Sequence, residues 1–299
     1  MSEFVPIYRG GVNAWECDVM GHLNLQFYAA KLSEGLGHLS LTLGLTPDQG
    51  AYLRLRHAFS RYLGELHAGA VLDIRAGVLA VQSDTIDVLA EIVNAESGKV
   101  SSSFELRFDN FDPETEKAMP WADGTRQHMT AMITERLDNP RPATVGGPVP
   151  EYSGSLTGPF VSSRGTVDSW NCDSQGRMSF QQYYAIASDG IGTVRHRMGI
   201  TRDVAKLNQW GGAALEYDVR LHAPISAGDI YSLRTGLMNL GDKTFRVGHQ
   251  FVNDSSGELA ATFDIVACMF DLKARRAMTI PDDIRAQAET LLITWPPKQ

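Results

Sequence analysis

Cysteine is scarce: Cys17, Cys172 and Cys268 form an odd, scattered set without metal-type spacing, which argues against a disulfide framework and against a cysteine-held zinc. A reducing, cytoplasmic setting is the expectation. Long apolar runs are missing too, none approaching the roughly 18 residues of a membrane span, and the opening MSEFVPIYRGG lacks the basic-then-apolar order of an export signal. No block of Lys or Arg occurs; 27 basic against 35 acidic residues give a net charge of −8, so the positive footprint that follows a phosphate backbone is absent. Neither a phosphate-binding loop nor a dinucleotide fingerprint appears, so the sequence implies no nucleic acid, no membrane, no cofactor and no metal. What the chain does have is apolar material: 43% hydrophobic residues over 299 positions fill one large core or two ordinary ones.

The dominant feature is an internal repeat. Residues 8–46 align without gaps on 163–201 at a shift of 155, with 15 of 39 positions identical, where chance gives about two or three. Trp15/Trp170, Cys17/Cys172, Asp18/Asp173, Gly21/Gly176, Tyr28/Tyr183, Gly35/Gly190 and Gly44/Gly199 are among them. The match resumes at a shift of 159, pairing Ala68-Gly69 with Ala227-Gly228, Ser97-Gly98 with Ser256-Gly257 and Phe104 with Phe263. Between the halves lies a Pro-, Gly- and Ser-rich stretch without periodicity, which reads as a linker. The expected organisation is a first domain over 1–140, a linker over 141–158 and a second domain over 159–299. Two copies of this length suggest a fused dimer with a pseudo-twofold interface, open to further self-association.

Each half opens with a short extended segment. Tyr28, Leu32, Leu36, Leu39 and Leu43 then recur at helical spacing, predicting a helix over about 25–43 that stops at Gly44. Alternating runs at Val71–Val81, Thr85–Asn94 and Val100–Phe108, and in the second half around Phe245–Phe251, predict antiparallel strands. Helical patterns near Gly124–Leu137 and Asp283–Leu292 close the halves. One helix followed by a meander is an α+β pattern, the helix lying across a curved sheet. Because that helix is apolar on more than one face, it is expected to be covered on both sides.

The chemistry concentrates just before the helix. Asp18, Gly21, His22, Asn24 and Tyr28, in the order Asp-x-x-Gly-His-x-Asn-x-x-x-Tyr, resemble the signature of the 4-hydroxybenzoyl-CoA thioesterase-like hotdog family. That resemblance implies two tandem hotdog domains, and it implies that Asp18 serves as nucleophile or general base at a thioester while the first N–H groups of the helix polarise the carbonyl. The physics agrees: unpaired N–H groups at a helix N-terminus suit the charge that develops on the carbonyl oxygen, and Gly21 lets a ligand approach the backbone. His22 and Asn24 are candidates to orient the carboxylate or the substrate. Glu34, a further candidate catalytic residue, recurs as Asp189 on an otherwise apolar helix and needs a partner or a wet cavity.

The second half keeps Asp173, Gly176 and Tyr183 but has Arg177 for His22 and Ser179 for Asn24. One working centre at Asp18 is therefore expected, with Gly21, Tyr28, Asp173, Gly176, Arg177 and Asp189 contributing to substrate binding and Arg177 a candidate phosphate contact; the reverse assignment, with Asp173 as the working carboxylate, is the alternative. The plainer readings are that Asp18 and Asp173 cap helices, that His22 is a structural histidine, that Glu34 is a partner-bonded helix acid, that Cys17 and Cys172 are packed thiols, and that Trp15 and Trp170 pack in a core or interface. The implied partner is an acyl-CoA or acyl-carrier-protein thioester. The alternatives are a non-catalytic acyl or CoA binder, a hotdog hydratase, whose Asp–His spacing is five rather than the four found here, and, within the thioesterases, the CoA ester of betaine.

Overall fold

A computed structural model describes residues 4–18, 20–45, 53–112, 115, 117–134 and 159–294. The chain divides into two compact units, Met1–Pro140 and Arg141–Gln299. The expected linker, 141–158, lies outside the described residues.

In the first unit the strands are β1 (Val5–Gly11), β2 (Leu53–Tyr62), β3 (Val71–Val81), β4 (Thr85–Asn94) and β5 (Val100–Asp112). They pair antiparallel in the order β1-β3-β4-β5-β2, and the short β6 (Lys117–Ala118) adds to β5. Helix α1 (Leu25–Thr42) packs on β1 and β3, and α2 (Asp123–Ala131) closes the unit. The second unit repeats this plan. Strands β7 (Phe160–Thr166), β8 (Trp210–Leu221), β9 (Ile230–Leu240), β10 (Thr244–Asn253) and β11 (Glu258–Asp271) pair in the order β7-β9-β10-β11-β8, with β12 (Arg276–Ala277) on β11. Helix α3 (Phe180–Arg197) packs on β7 and β9, followed by α4 (Arg202–Asn208) and α5 (Asp282–Glu289).

Local chemistry sets the helix ends. Asn24 caps α1, its side chain accepting the Gln26 N–H at 3.1 Å, and Ser179 caps α3 through the Gln182 N–H; neither Asp18 nor Asp173 occupies the cap position. Gly44 ends α1 at φ +77°, a left-handed conformation that costs a residue without Cβ little. Helix and sheet approach closely at Gly35, where a Cβ would lie 3.1 Å from Ile7, and at Gly190, where it would lie 2.7 Å from Leu233. That contact explains why both copies hold glycine on the buried helix face. The opposite face is open: Glu34, Gly37, His38 and Leu41 are exposed. This corrects the expectation of a helix covered on both sides; α1 buries one stripe, through Tyr28, Ala29, Leu32, Gly35 and Leu39.

The two cores differ in their polar content. Ile7, Ala76 and Ala90 lie at the positions that Ser162, Thr235 and His249 take in the second unit. There Ser162 Oγ donates to the Leu233 carbonyl at 3.3 Å, accepts from Thr235 Oγ1 at 2.6 Å, and Thr235 Oγ1 in turn lies 2.6 Å from His249 Nδ1. This direction of donation places the imidazole proton on Nδ1. Nε2 has no hydrogen-bond partner among the described residues, and burial pushes the fully enclosed imidazole down to a pKa of about 3.

Candidate active site

The segment between β1 and α1 is folded by its own side chains. A 3₁₀ turn at Ala14–Glu16 follows β1, and buried Glu16 accepts the Asn13 N–H at 2.7 Å while pairing with Lys31 Nζ at 2.9 Å. Lys31, on α1, also donates to the Gly11 carbonyl at 2.8 Å, so one buried ion pair staples the segment to the helix. Asp18 then closes a tight turn. Its Oδ1 accepts the N–H groups of Met20 at 2.8 Å and His22 at 3.2 Å, and its own N–H donates to the His22 carbonyl at 2.8 Å. Gly21 stands at φ +79° with open space on its Cβ side. The chain re-enters the fold as Leu23 N–H donates to Leu66 O at 2.8 Å and Asn24 N–H to Glu16 O at 2.9 Å.

Two consequences follow at the atomic level. The turn uses only one oxygen of Asp18, so Oδ2 bears no hydrogen bond to any described residue. In the first turn of α1, the Gln26 N–H is taken by the Asn24 side chain and the Phe27 N–H by the Asn24 carbonyl at 2.9 Å. The Leu25 N–H has no acceptor among the described residues and is the donor left for a ligand oxygen. Tyr28, one turn further on, is buried and bonds Ser101 Oγ through its hydroxyl at 3.2 Å. Burial chiefly raises its pKa, and the charges of Glu65 and Asp18 push the same way.

The structure brings a further pair to this turn that sequence reasoning missed. Glu65 and His67, in the connection from β2 to β3, face His22: His22 Nε2 lies 3.4 Å and His67 Nε2 3.8 Å from Glu65 Oε2. The two rings meet edge to face at 4.9 Å, and His67 Nδ1 lies 3.2 Å from the Gly21 carbonyl. At the 159-residue shift their counterparts are Pro224 and Ser226. Chemistry present in one copy and erased in the other was the signal available in the sequence.

In the second unit the turn is built alike, with Asp173 Oδ1 accepting from Gln175 N–H at 2.8 Å and Arg177 N–H at 3.0 Å, and with Gly176 at φ +74°. Here, however, Arg177 Nε reaches Asp173 Oδ2 at 3.4 Å. The carboxylate oxygen that is open in the first unit is thus paired in the second. Tyr183 is buried and its hydroxyl pKa is raised, mainly by desolvation.

Other expected residues fall elsewhere. Glu34 is exposed and shares a hydrogen bond with Tyr8 of β1; no described hydrogen bond or ion pair joins it to the Asp18 turn. Asp189 is likewise exposed, its carboxyl raised by partial desolvation. Cys17 and Cys172 donate to the carbonyls of Asn13 and Asp168, and the Cys172 thiol is pushed up by desolvation and by Asp173 and Asp168, away from the thiolate. Trp15 and Trp170 are 78% and 79% exposed. Each sits on a 3₁₀ turn, so neither packs in the core of its unit.

The profile of the Thioesterase-like superfamily matches residues 12–129 and again 167–288. Curated proteins yield no sequence match. Among solved structures, a protein from Lactobacillus plantarum provisionally assigned as an oleoyl thioesterase is similar at a TM-score of 0.69 and 13% identity, over 94% of this chain and 98% of that one. An acyl-ACP thioesterase from Bacteroides thetaiotaomicron gives 0.62 and 13%, over 88% and 97%. The 12:0-ACP thioesterase from Umbellularia californica gives 0.63 and 7%, over 87% and 92%. At these identities the likeness is one of fold, and it runs nearly end to end. No described helix is long and apolar enough to cross a membrane. With two matched segments, one long helix packed on an antiparallel sheet in each unit, and the same turn before each of these helices, the chain belongs to the thioesterase-like superfamily as a tandem pair of hotdog units.

Proposed function

We propose that the protein hydrolyses an acyl-CoA or acyl-carrier-protein thioester in the cytoplasm, with its working centre at the Asp18 turn. The observation that carries this reading is that two groups in the segment leading into α1, Asp18 Oδ2 and the Leu25 N–H, have no hydrogen-bond partner among the described residues. A thioester carbonyl accepting from Leu25 would have its developing oxyanion met by a fixed donor and by the positive end of the α1 dipole.

Asp18 Oδ2 then acts in one of two ways. As a general base it takes a proton from water, whose oxygen bonds to the carbonyl carbon; as a nucleophile it bonds there itself, and water later opens the anhydride. In either case the C–S bond breaks, the thiolate takes up a proton, and acid and thiol leave. Asn24 fixes the helix start from which Leu25 donates, and His22 holds the Asp18 carboxylate through its backbone N–H. In the second unit the Asp173–Arg177 pair occupies the equivalent oxygen, so that unit is assigned to substrate binding, Arg177 being the candidate for a carrier phosphate. Glu34 and Asp189, which sit on the open helix faces, are assigned no chemical step.

The test is thiol release from short, long, aromatic and betaine CoA thioesters and from an acyl-carrier protein, with Asp18→Asn beside wild type. Asn keeps an oxygen to accept from Met20 and His22, so the turn survives while the charge is lost. Turnover that falls on the order of 10²-fold or more supports the assignment; tight binding of every thioester without turnover by wild type makes the protein an acyl-ligand binder instead.

A further inference from the structure

We propose that His22, Glu65 and His67 form a binding site for one divalent transition-metal ion, of the zinc class, beside the Asp18 turn. Their ligand atoms lie within 4.8 Å of one another. The contacts of 3.4 and 3.8 Å to Glu65 Oε2 are near the roughly 3.3–3.5 Å that separates two donors on a tetrahedral ion with bonds of about 2.0–2.1 Å. Two imidazoles and one carboxylate with solvent at the fourth position is a donor set that zinc takes readily. All three side chains belong to the first unit. The expectation of no metal rested on local spacing, which cannot reveal ligands contributed by segments more than forty residues apart.

Hydrogen bonding makes the case stronger than proximity alone. The Gly21 carbonyl can only accept, so at 3.2 Å it takes the proton of His67 Nδ1. Nε2 of the same ring is then the atom directed at Glu65 Oε2, at 3.8 Å, and an Nδ1–H held by a backbone carbonyl is the usual outer support of a metal-bound histidine. The duplicate supplies an independent comparison. At the position of His22 the second unit has Arg177, a permanent cation, while Pro224 and Ser226 replace Glu65 and His67. One unit thus carries positive charge covalently beside its turn, and the other has the ligands to acquire it.

Chelator-treated, untagged full-length protein titrated with Co²⁺ tests this directly. The expected result is one ion per chain with the visible bands of a four-coordinate site, displaced by Zn²⁺ and weakened at least about tenfold in Glu65→Gln and His67→Ala. Both positions are exposed, so the variants should fold, which circular dichroism checks. Asp18→Asn should bind cobalt like wild type, so the metal site and the hydrolytic reading succeed or fail separately. Absence of a stoichiometric cobalt spectrum overturns the proposal, and so does cobalt affinity equal to wild type in Glu65→Gln and His67→Ala.

Discussion

Acid should loosen the second unit through His249. In the folded chain this imidazole is fully buried and its pKa is held at about 3; in the unfolded chain it is exposed and titrates near 6.5. The unfolded state therefore binds a proton that the folded state refuses, and stability falls as pH drops from about 6.5 toward 3. At pH 4 the difference of about 2.5 units, at 1.36 kcal/mol each, amounts to roughly 3 kcal/mol, a large part of a typical domain's stability. Carboxylates contribute their own acid sensitivity, so the measurement is a comparison. Urea unfolding of wild type and His249→Gln at pH 7 and pH 4 should show the variant losing roughly 3 kcal/mol less between the two conditions. Parallel losses would refute the reasoning and mean that the imidazole reaches a proton or a partner in the folded state.

Further outcomes follow from the packing. Lys31→Ile strands the buried Glu16 carboxylate and should cost about 3–5 kcal/mol in urea unfolding, whereas adding Glu16→Asn, which reproduces the Asn171 and Ile186 of the second unit, should recover part of that loss. Gly190→Ala places a Cβ 2.7 Å from Leu233 and should destabilise by about 1–3 kcal/mol. By contrast, Gly192→Ala on the same helix meets open space and should gain up to about 1 kcal/mol; the pair of thermal midpoints checks both.

Much of this architecture is legible in the sequence because period and punctuation agree. The apolar spacing from Tyr28 to Leu43 and the stop at Gly44 mark α1 closely, and the alternation at Val71–Val81 and Thr85–Asn94 gives β3 and β4. β2 was not read: Leu53–Tyr62 is half-buried along most of its length and carries Arg54 and Arg56, which pair with Asp109 of β5, so charge masks the strand. The open face of α1 was misjudged because apolarity does not say whether a cover is present. At the site, Asp18, Gly21, His22, Asn24 and Tyr28 are contiguous in sequence and could be seen together. Glu65 and His67 join them only through the β2–β3 connection, and Glu34, chosen for its recurrence as Asp189, is exposed and hydrogen-bonds Tyr8, a contact that recurrence on a helix does not reveal.

The central claim is that the two turns, alike in backbone, differ in function because Arg177 closes one carboxylate and no described residue closes the other. Thiol release by Asp18→Asn and Asp173→Asn, measured side by side on a thioester that wild type cleaves, tests it most directly. A rate reduced on the order of 10²-fold or more in Asp18→Asn, with the reaction step in Asp173→Asn close to wild type apart from weaker substrate binding, is the predicted result. Loss confined to Asp173→Asn, or equal loss in both, would contradict the account and place the chemistry in the second unit or in both.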